Sequence, residues 1–359
     1  MGEVTIITVS LDSKKTIERT IKSVIEQTYP DIEYIVVDGG STDGTVDIIK
    51  KYESNISVWV SEPDKGIYDA INKGIMMSTG EIIGIINSDD WYERDAVENA
   101  VIAMEKNNAE MVCGNVVMHY KSGKSRILSP RLNEDPLYGN IIPHPSVFAR
   151  SALYEEEGLY DVNYSIAADY KWMMGCIKKK HKIVCLDKAI AHFSDGGVSN
   201  TYHYDTIFQS AKIVKEFLDS LNSSVNSEEI INYWNERIQR AKGDDEMHRG
   251  SKKTISYLQR ILKEPVVVWG TGHYGELMSG LLEQAQIKID SFLDSDSSKV
   301  GSRFMDYSIK EPGSDLKGKQ LLIAIDMPDD EMIKLIESKG YNCSECISIR
   351  QLQREIGRD

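Results

Sequence analysis

The chain is poor in cysteine, has no long apolar run and carries no excess of positive charge, and each shortage excludes a class of protein. Five cysteines (Cys113, Cys176, Cys185, Cys343 and Cys346) in 359 residues are too few and too scattered for a disulfide framework. Reduced thiols in a cytoplasmic protein are therefore expected. Cys343-Ser344-Glu345-Cys346 has the spacing of a redox or zinc half-site, but no second such pair or nearby histidine accompanies it, so it reads as incidental. The longest apolar runs, such as Ile82–Ile86 and Val266–Trp269, fall far short of the roughly 20 residues that a bilayer requires. Val4–Val9, interrupted by Thr5 and Thr8, is too short for a signal peptide. Lys+Arg number 42 against 56 Asp+Glu, a net charge of −14, which repels a phosphate backbone and excludes nucleic acid held by charge. Internal repeats and low-complexity segments are absent too.

What remains is an ordinary soluble composition, 41% apolar and 27% charged, long enough for two domains with their own cores. The acidity is uneven. Residues 1–200 hold 21 basic and 30 acidic groups (net −9), residues 201–260 hold 9 and 9 (net zero), and residues 261–359 hold 12 and 17 (net −5). Most of these carboxylates serve solubility, but the first segment has enough for some to serve a cation. Its pattern alternates short β-branched runs with amphipathic stretches: strands at Val4–Val9, Ile32–Val37, Ile56–Val60 and Ile82–Ile86, helices at Lys14–Gln27, Thr45–Tyr52 and Asp69–Met77. That alternation predicts a parallel α/β sheet, whose ligands sit beyond the carboxyl ends of the strands. Residues 203–262 read as a neutral helical connector, broken at Asn222-Ser223-Ser224, and a second α/β pattern follows from Pro265.

Polar runs cluster where the sheet's ligand end is expected. Thr8-Val9-Ser10 ends the first strand, Asp38-Gly39-Gly40-Ser41-Thr42-Asp43-Gly44-Thr45 the second, and Ser61-Glu62-Pro63-Asp64-Lys65-Gly66-Ile67-Tyr68-Asp69 follows the third. Asn87-Ser88-Asp89-Asp90 ends the fourth. Adjacent carboxylates there suit a hard divalent cation, although Asp also fits a turn and the N-cap of the next helix. In this order, and continued by Ile142-Pro143-His144-Pro145-Ser146-Val147-Phe148, Ile166-Ala167-Ala168-Asp169-Tyr170 and Phe193-Ser194-Asp195-Gly196-Gly197-Val198-Ser199, the motifs resemble family 2 inverting glycosyltransferases of the capsule, exopolysaccharide and colanic-acid type.

The resemblance implies a GT-A fold, Rossmann-like with a mainly parallel sheet, over residues 1–202. It implies a nucleotide-sugar donor, of UDP type, and a saccharide or lipid-linked acceptor in bacterial surface polysaccharide synthesis. Thr8 and Ser10 would lie near uracil and ribose, Asp38 on the base's ring N–H, and Asp64, Lys65, Lys73 and Ser88 on the donor side. For Asp38 the other reading is a turn-starting residue, and for the lysines a solvated surface charge. Asp89 matches the family's metal-binding acid with Asp90 beside it, for Mn²⁺ or Mg²⁺, while Asn87 replaces the first acid of a strict Asp-X-Asp. His192 is a further candidate ligand or else a packed, hydrogen-bonded residue. Asp169 matches the acidic residue that takes the acceptor's proton, with a dipole-stabilising first-turn acid as the bland alternative. His144, between Pro143 and Pro145, would line the acceptor side or serve the loop alone.

In the second domain, expected over 263–359, Gly270-Thr271-Gly272-His273-Tyr274-Gly275 follows a strand and opens a helix, the dinucleotide-type fingerprint, and Asp294 ends the next strand where a ribose-binding acid would sit. Gly270, Gly272, Gly275 and Asp294 thus form a candidate nucleotide site in a smaller Rossmann-like domain. Two rival functions stay open, a nicotinamide-dependent sugar-nucleotide oxidoreductase and a non-catalytic nucleotide-sugar scaffold. The expected location is the cytoplasm, with contact at the inner membrane face and self-association as further options.

Overall fold

The computed structural model describes residues 2–120, 123–194, 203–221, 227–263, 265–313, 316, 319–342 and 346–358. The chain divides into two compact units, Met1–Ile230 and Ile231–Asp359. Among the described residues no helix is long and apolar enough to cross a membrane.

The first unit is built on strands β1 (Val4–Ser10), β2 (Ile32–Asp38), β3 (Val58–Ser61), β4 (Ile82–Asn87), β5 (Trp91–Tyr92), β6 (Met111–His119), β7 (Ser125–Leu128), β8 (Phe148–Arg150) and β9 (Ile183–Ser194). They form one sheet in the order β3-β2-β1-β4-β8-β6-β9-β5, with β7 added to β6. β1 pairs in parallel with both β2 and β4, and every one of its residues is buried, as expected of a strand covered on both faces. Its helices are α1 (Ile17–Ile25), α2 (Thr45–Lys51), α3 (Ile67–Met77), α4 (Ala96–Asn107), α5 (Ser151–Glu157), α6 (Ala168–Lys178) and α7 (His203–Ser220). On α1 the spacing Ile17, Ile21, Val24 gives one apolar stripe, and it packs with Ile6, Val36 and Val101 of the core. Each such side chain removed from water contributes roughly 1.5–3 kcal/mol. On the other face α3 lies close to β1, because a Cβ on Gly74 would stand 2.4 Å from Ile7 Cγ2. The predicted parallel α/β core is therefore observed. Element boundaries move by a few residues, the largest shift being α1, which starts at Ile17 rather than at Lys14.

The second unit carries β10 (Val266–Trp269), β11 (Ile289–Leu293), β12 (Arg303–Phe304), β13 (Tyr307–Lys310), β14 (Gln320–Ile323) and β15 (Cys346–Ser348), in the order β12-β13-β11-β10-β14-β15. All neighbours are parallel except the β12–β13 hairpin. The helices here are α8 (Ser227–His248), most of which lies in this unit, α9 (Lys252–Ile261), α10 (His273–Gln284), α11 (Asp329–Ser338) and α12 (Ile349–Gly357). Alternate residues of β10 enter different cores, Val266 and Val268 with Met278 and Leu352, and Val267 and Trp269 with Met332 and Ile336. Gly243 and Gly357 let helix backbones meet, since a Cβ on Gly357 would lie 1.9 Å from the Gln239 carbonyl oxygen.

The residues expected as a separate connector divide between the units. Helix α7 buries Ile207, Ile213 and Val214, and its Gln209 side chain accepts from the Ile166 amide at 3.0 Å, within the first unit. Met247, Leu258 and Leu262 enter the core of the second. Amphipathic helices find a hydrophobic partner wherever one is available, and their neutral charge carries no information about which. The expected break at Asn222-Ser223-Ser224, together with Cys343, Ser344 and Glu345 of the half-site, lies outside the described residues.

One half-buried ion cluster ties three segments of the first unit together. His181, before β9, places Nε2 2.7 Å from Glu157 and Nδ1 2.9 Å from Glu110. Burial opposes its charge, but the hydrogen bonds it donates to Glu157 and Glu110 outweigh that and raise its pKa above the ordinary histidine value. The imidazolium's contribution to stability is thus full below the unfolded pKa of about 6.5 and is lost as pH rises through the elevated folded value. In urea titrations from pH 5.5 to 9, the wild type is expected to lose stability relative to His181→Gln above neutrality, and parallel curves would contradict the assignment.

Candidate active site

Parallel register brings four polar strand ends into one row. Ser10 pairs with Asp38, Asp38 with Ser61, and Val9 with Asn87. Asp38 is 0% exposed, and its two oxygens accept from the side chains of Ser10 (2.9 Å), Ser41 and Ser61 (2.7 Å) and from the amides of Gly40 (3.1 Å) and Ser41 (2.9 Å). Burial alone would raise its pKa, but the donors from Ser41, Ser61 and Ser10 more than compensate, and the carboxylate is held below its usual range. Asp38 is thus the organiser of its own loop, the turn-starting role weighed from sequence. Thr8 is fully buried, its hydroxyl accepting from Tyr34 at 3.1 Å.

The Asp64 loop folds onto that turn, since a Cβ on Gly39 would stand 2.5 Å from Asp64 Oδ2. Asp64 accepts from the amide of Gly66, whose φ of +123° lets the chain enter α3. Lys73 is not a free cation, for its Nζ lies 2.9 Å from Glu62 and 3.7 Å from Asp69. Lys65 is exposed and uses its backbone amide on Asp69.

The turn after β4 concentrates negative charge under cover. Ser88 is buried, its hydroxyl 2.6 Å from that of Ser13. Asp90 is 0% exposed; Oδ1 accepts from the Ser194 amide at 3.0 Å, while Oδ2 is buried with no partner among the described residues, as is Asn87 Oδ1. Burial and, next, the neighbouring Asp89 charge push Asp90 well above the usual carboxylate range, and burial raises Asp89 too. Arg19 of α1 braces this turn, donating to the Asp89 carbonyl at 2.6 Å and to Ser194 Oγ at 3.1 Å, with its guanidinium 3.5 Å from the Trp91 ring centre. His192 stacks on Trp91 at 4.7 Å, and both ring nitrogens are engaged, Nδ1 with His119 at 2.9 Å and Nε2 with Glu93 at 2.8 Å. These contacts match the packed, hydrogen-bonded reading, and a role as ligand would require His192 to give up one of them. Among the described residues, the grouping of three metal-capable side chains with ligand atoms within 4.8 Å is Glu110, Glu156 and His181, not Asp89, Asp90 and His192.

Beside this turn a cavity of about 190 Å³ is lined by Asn87, Tyr68, His144, Asp169 and Phe193. Asp169 stands in the first turn of α6, and its Oδ1 lies 2.7 Å from the Tyr68 hydroxyl, which also reaches the Ile166 carbonyl at 2.7 Å. His144, in a short 3₁₀ turn, has its pKa lowered by burial, against the opposing pull of Asp169, so it is neutral near pH 7. Residues 87, 144 and 169, far apart in sequence, thus meet at one cavity. From Asp195 to Ser199, the last quoted motif lies outside the described residues. Arg19, Ser61, Tyr68 and Ser194 belong to the site without having been assigned a role from sequence. Arg19 reads there as one more solvated charge on the polar face of a helix; Ser61, Tyr68 and Ser194 each lay inside a family motif, which was the available signal.

The model of the family described as Glycosyl transferase family 2 matches residues 5–171. An uncharacterized glycosyltransferase of Mycobacterium tuberculosis is 34% identical over 176 residues, covering 48% of this chain and 67% of the relative. The chain belongs to glycosyl transferase family 2. A PGL/p-HBAD biosynthesis glycosyltransferase of Mycobacterium bovis is 29% identical over 229 residues, 61% of this chain and 84% of its own. In fold, this family 2 glycosyltransferase is similar to Staphylococcus aureus TarS 1–349, solved in complex with UDP-GlcNAc (TM-score 0.53, 18% identity, 67% of this chain and 80% of that one). It is also similar to the mannosyltransferase PcManGT of Pyrobaculum calidifontis, solved with GDP-Man and Mn²⁺ (TM-score 0.52, 15% identity, 80% and 81%). The first unit has the GT-A fold, and family membership favours a transferase over the oxidoreductase and scaffold readings.

In the second unit, Gly270 (φ +121°) turns the chain out of β10, and a Cβ on Gly275 would stand 2.1 Å from the Gly270 carbonyl oxygen. Gly270, Gly272, Asp294 and Asp326 line a crevice of about 310 Å³. Asp294 is engaged there by the Thr271 hydroxyl and by Lys299 Nζ at 3.0 Å.

Because Asp38 satisfies three hydroxyls and two amides inside the fold, Asp38→Ala is expected to cost about 3 kcal/mol and to loosen the 38–45 loop. Chemical unfolding and hydrogen exchange over 38–45 check this, and an unchanged loop would refute the organising role.

Proposed function

We propose that the protein is an inverting glycosyltransferase that moves a sugar from a nucleotide-sugar donor, of UDP type, to a saccharide or lipid-linked acceptor in the synthesis of a bacterial surface polysaccharide. The observation that carries this is the convergence of Asp169, His144 and Asn87 on one cavity beside the Asp89–Asp90 turn. TarS with UDP-GlcNAc and PcManGT with GDP-Man support the donor class.

In a single displacement the acceptor oxygen bonds to the anomeric carbon as the bond to the donor's diphosphate breaks, and one group must take the acceptor's proton. Asp169 is assigned that role. Tyr68 fixes its Oδ1, leaving Oδ2 without a protein partner among the described residues. His144, kept neutral by burial, lines the acceptor side without adding charge. Thr8, Ser10, Ser88, Asp64 and Lys65 are assigned to the donor side, and Asp38 to the loop that presents it, with its ring N–H contact a secondary role. Lys73, paired with Glu62 and Asp69, would have to exchange partners to meet phosphate.

Asp89 and Asp90 fit a divalent cation, Mn²⁺ or Mg²⁺: two carboxylates share one turn, and the buried Asp90 Oδ2 has no partner among the described residues. When bound, such an ion supplies Lewis-acid neutralisation of the departing nucleoside diphosphate. The protein's own part is to hold those carboxylates in place through Ser194 and Arg19. Gly270, Gly272, Gly275 and Asp294 are assigned a nucleotide-type ligand in a smaller Rossmann-like domain, supported by the crevice that Gly270, Gly272 and Asp294 line.

Asp169→Asn is expected to lower turnover by roughly 10²–10⁴-fold with donor affinity unchanged; near-normal turnover on a verified acceptor removes Asp169 as the base. Asp90→Asn relieves a buried like-charge pair, so the metal-free protein is expected to melt at a higher temperature while losing Mn²⁺- or Mg²⁺-dependent transfer. Melting curves with and without each ion test both halves, and a lower Tm without added metal would contradict the electrostatic account. A screen of nucleotide sugars by thermal shift and hydrolysis identifies the donor.

A further inference from the structure

Two thiols that the transferase chemistry does not use face each other across adjacent strands. Cys113 of β6 and Cys185 of β9 are register partners in a parallel ladder, flanked by the pairs Val112 with Val184 and Gly114 with Leu186. Their sulfurs are 3.1 Å apart. Cys113 is fully buried, whereas Cys185 is exposed, so one member meets solvent and the other is reached only through it. A disulfide has an S–S length of about 2.05 Å, so the sulfurs need to close by about 1 Å, within reach of side-chain rotation on a fixed ladder.

We propose that Cys113 and Cys185 form a reversible disulfide couple, driven by a hydroperoxide, that fastens β6 to β9. The Cys185 thiolate attacks a peroxide oxygen; the O–O bond breaks, the sulfur becomes a sulfenic acid, and the other oxygen leaves as alcohol or water. The Cys113 sulfur then attacks the Cys185 sulfur. The S–S bond forms, the S–O bond breaks, and the departing hydroxide takes the Cys113 proton to leave as water. Two thiols thus give two electrons to one peroxide, and a dithiol returns them. Contact with Cys113 lowers the Cys185 pKa, while contact with Cys185 and burial raise that of Cys113, which suits Cys185 to the attacking role.

The position gives the bond something to hold. Beyond Gly114 the ladder shifts register before resuming through His119, which pairs with Ser194, the residue whose amide holds Asp90. A cross-link before the irregularity closes a 72-residue separation and anchors the pair of strands that reaches the Asp89–Asp90 turn.

The full chain, treated with a small excess of hydrogen peroxide and then alkylated, tests this. Expected are the loss of two hydrogens in intact mass, a tryptic peptide linking Cys113 to Cys185, and a Tm raised by roughly 5 °C, all reversed by dithiothreitol. Cys185→Ser, a change at an exposed position outside the site, is expected to abolish the linked peptide and the Tm rise with basal transfer unchanged. Oxidation of Cys185 to sulfinic acid while Cys113 stays alkylatable after unfolding would overturn the proposal, as would full alkylation of both thiols after peroxide treatment.

Discussion

The site depends on the hydrogen-bonded ladders along both edges of β1. Because β1 is parallel to β2 and to β4 and is buried along its whole length, the three strands cannot slip without sending apolar side chains the wrong way. Fixed register puts Ser10, Asp38 and Asn87 at one level, and β3 adds Ser61. The loops that leave these ends have no room to choose another direction. Asp38 then ties the ends of β1 and β3 to its own loop by accepting from Ser10, from Ser61 and from the amides of Gly40 and Ser41.

The Asp89–Asp90 turn is electrostatically costly. Two carboxylates are drawn from water side by side, and among the described residues one oxygen of Asp90 has nothing to accept from. Neighbouring elements offset part of the cost: Arg19 reaches over from α1 and rests on Trp91, Ser194 donates from the end of β9, and Thr20 donates to the Asp90 carbonyl. This is the usual relation between function and stability, in which strain tolerated at one place is supported by ordinary packing elsewhere. His192 adds to the support, stacked on Trp91 and held between His119 and Glu93.

The second unit repeats the logic with less charge. Its parallel strands again bring a glycine turn, Asp294 and Asp326 to one end, and the glycines are required by contact rather than flexibility alone: Gly275 has no space for a Cβ against the Gly270 carbonyl. Asp294 is already bonded to Thr271 and Lys299, so any ligand there competes with a formed network.

Much of this was legible in the amino-acid order. Alternating β-branched runs and helical stripes determined an α/β sheet with its polar motifs at the carboxyl ends, and the motif order carried the family. Asp169, Asp89 and Asp90 were visible because their neighbours form motifs. Arg19 was not, because a charge on a helix has no local signature; Ser194 lay in a motif, but its part in holding Asp90, like that of Arg19, exists only through contacts across 70 residues or more. The division of residues 203–262 between two units, and the meeting of Cys113 with Cys185, were likewise decided by packing. Local sequence determines which residues share a face of a helix or strand; which faces then meet is set by burial of apolar surface over the whole chain, and only that global solution puts distant side chains within bonding distance.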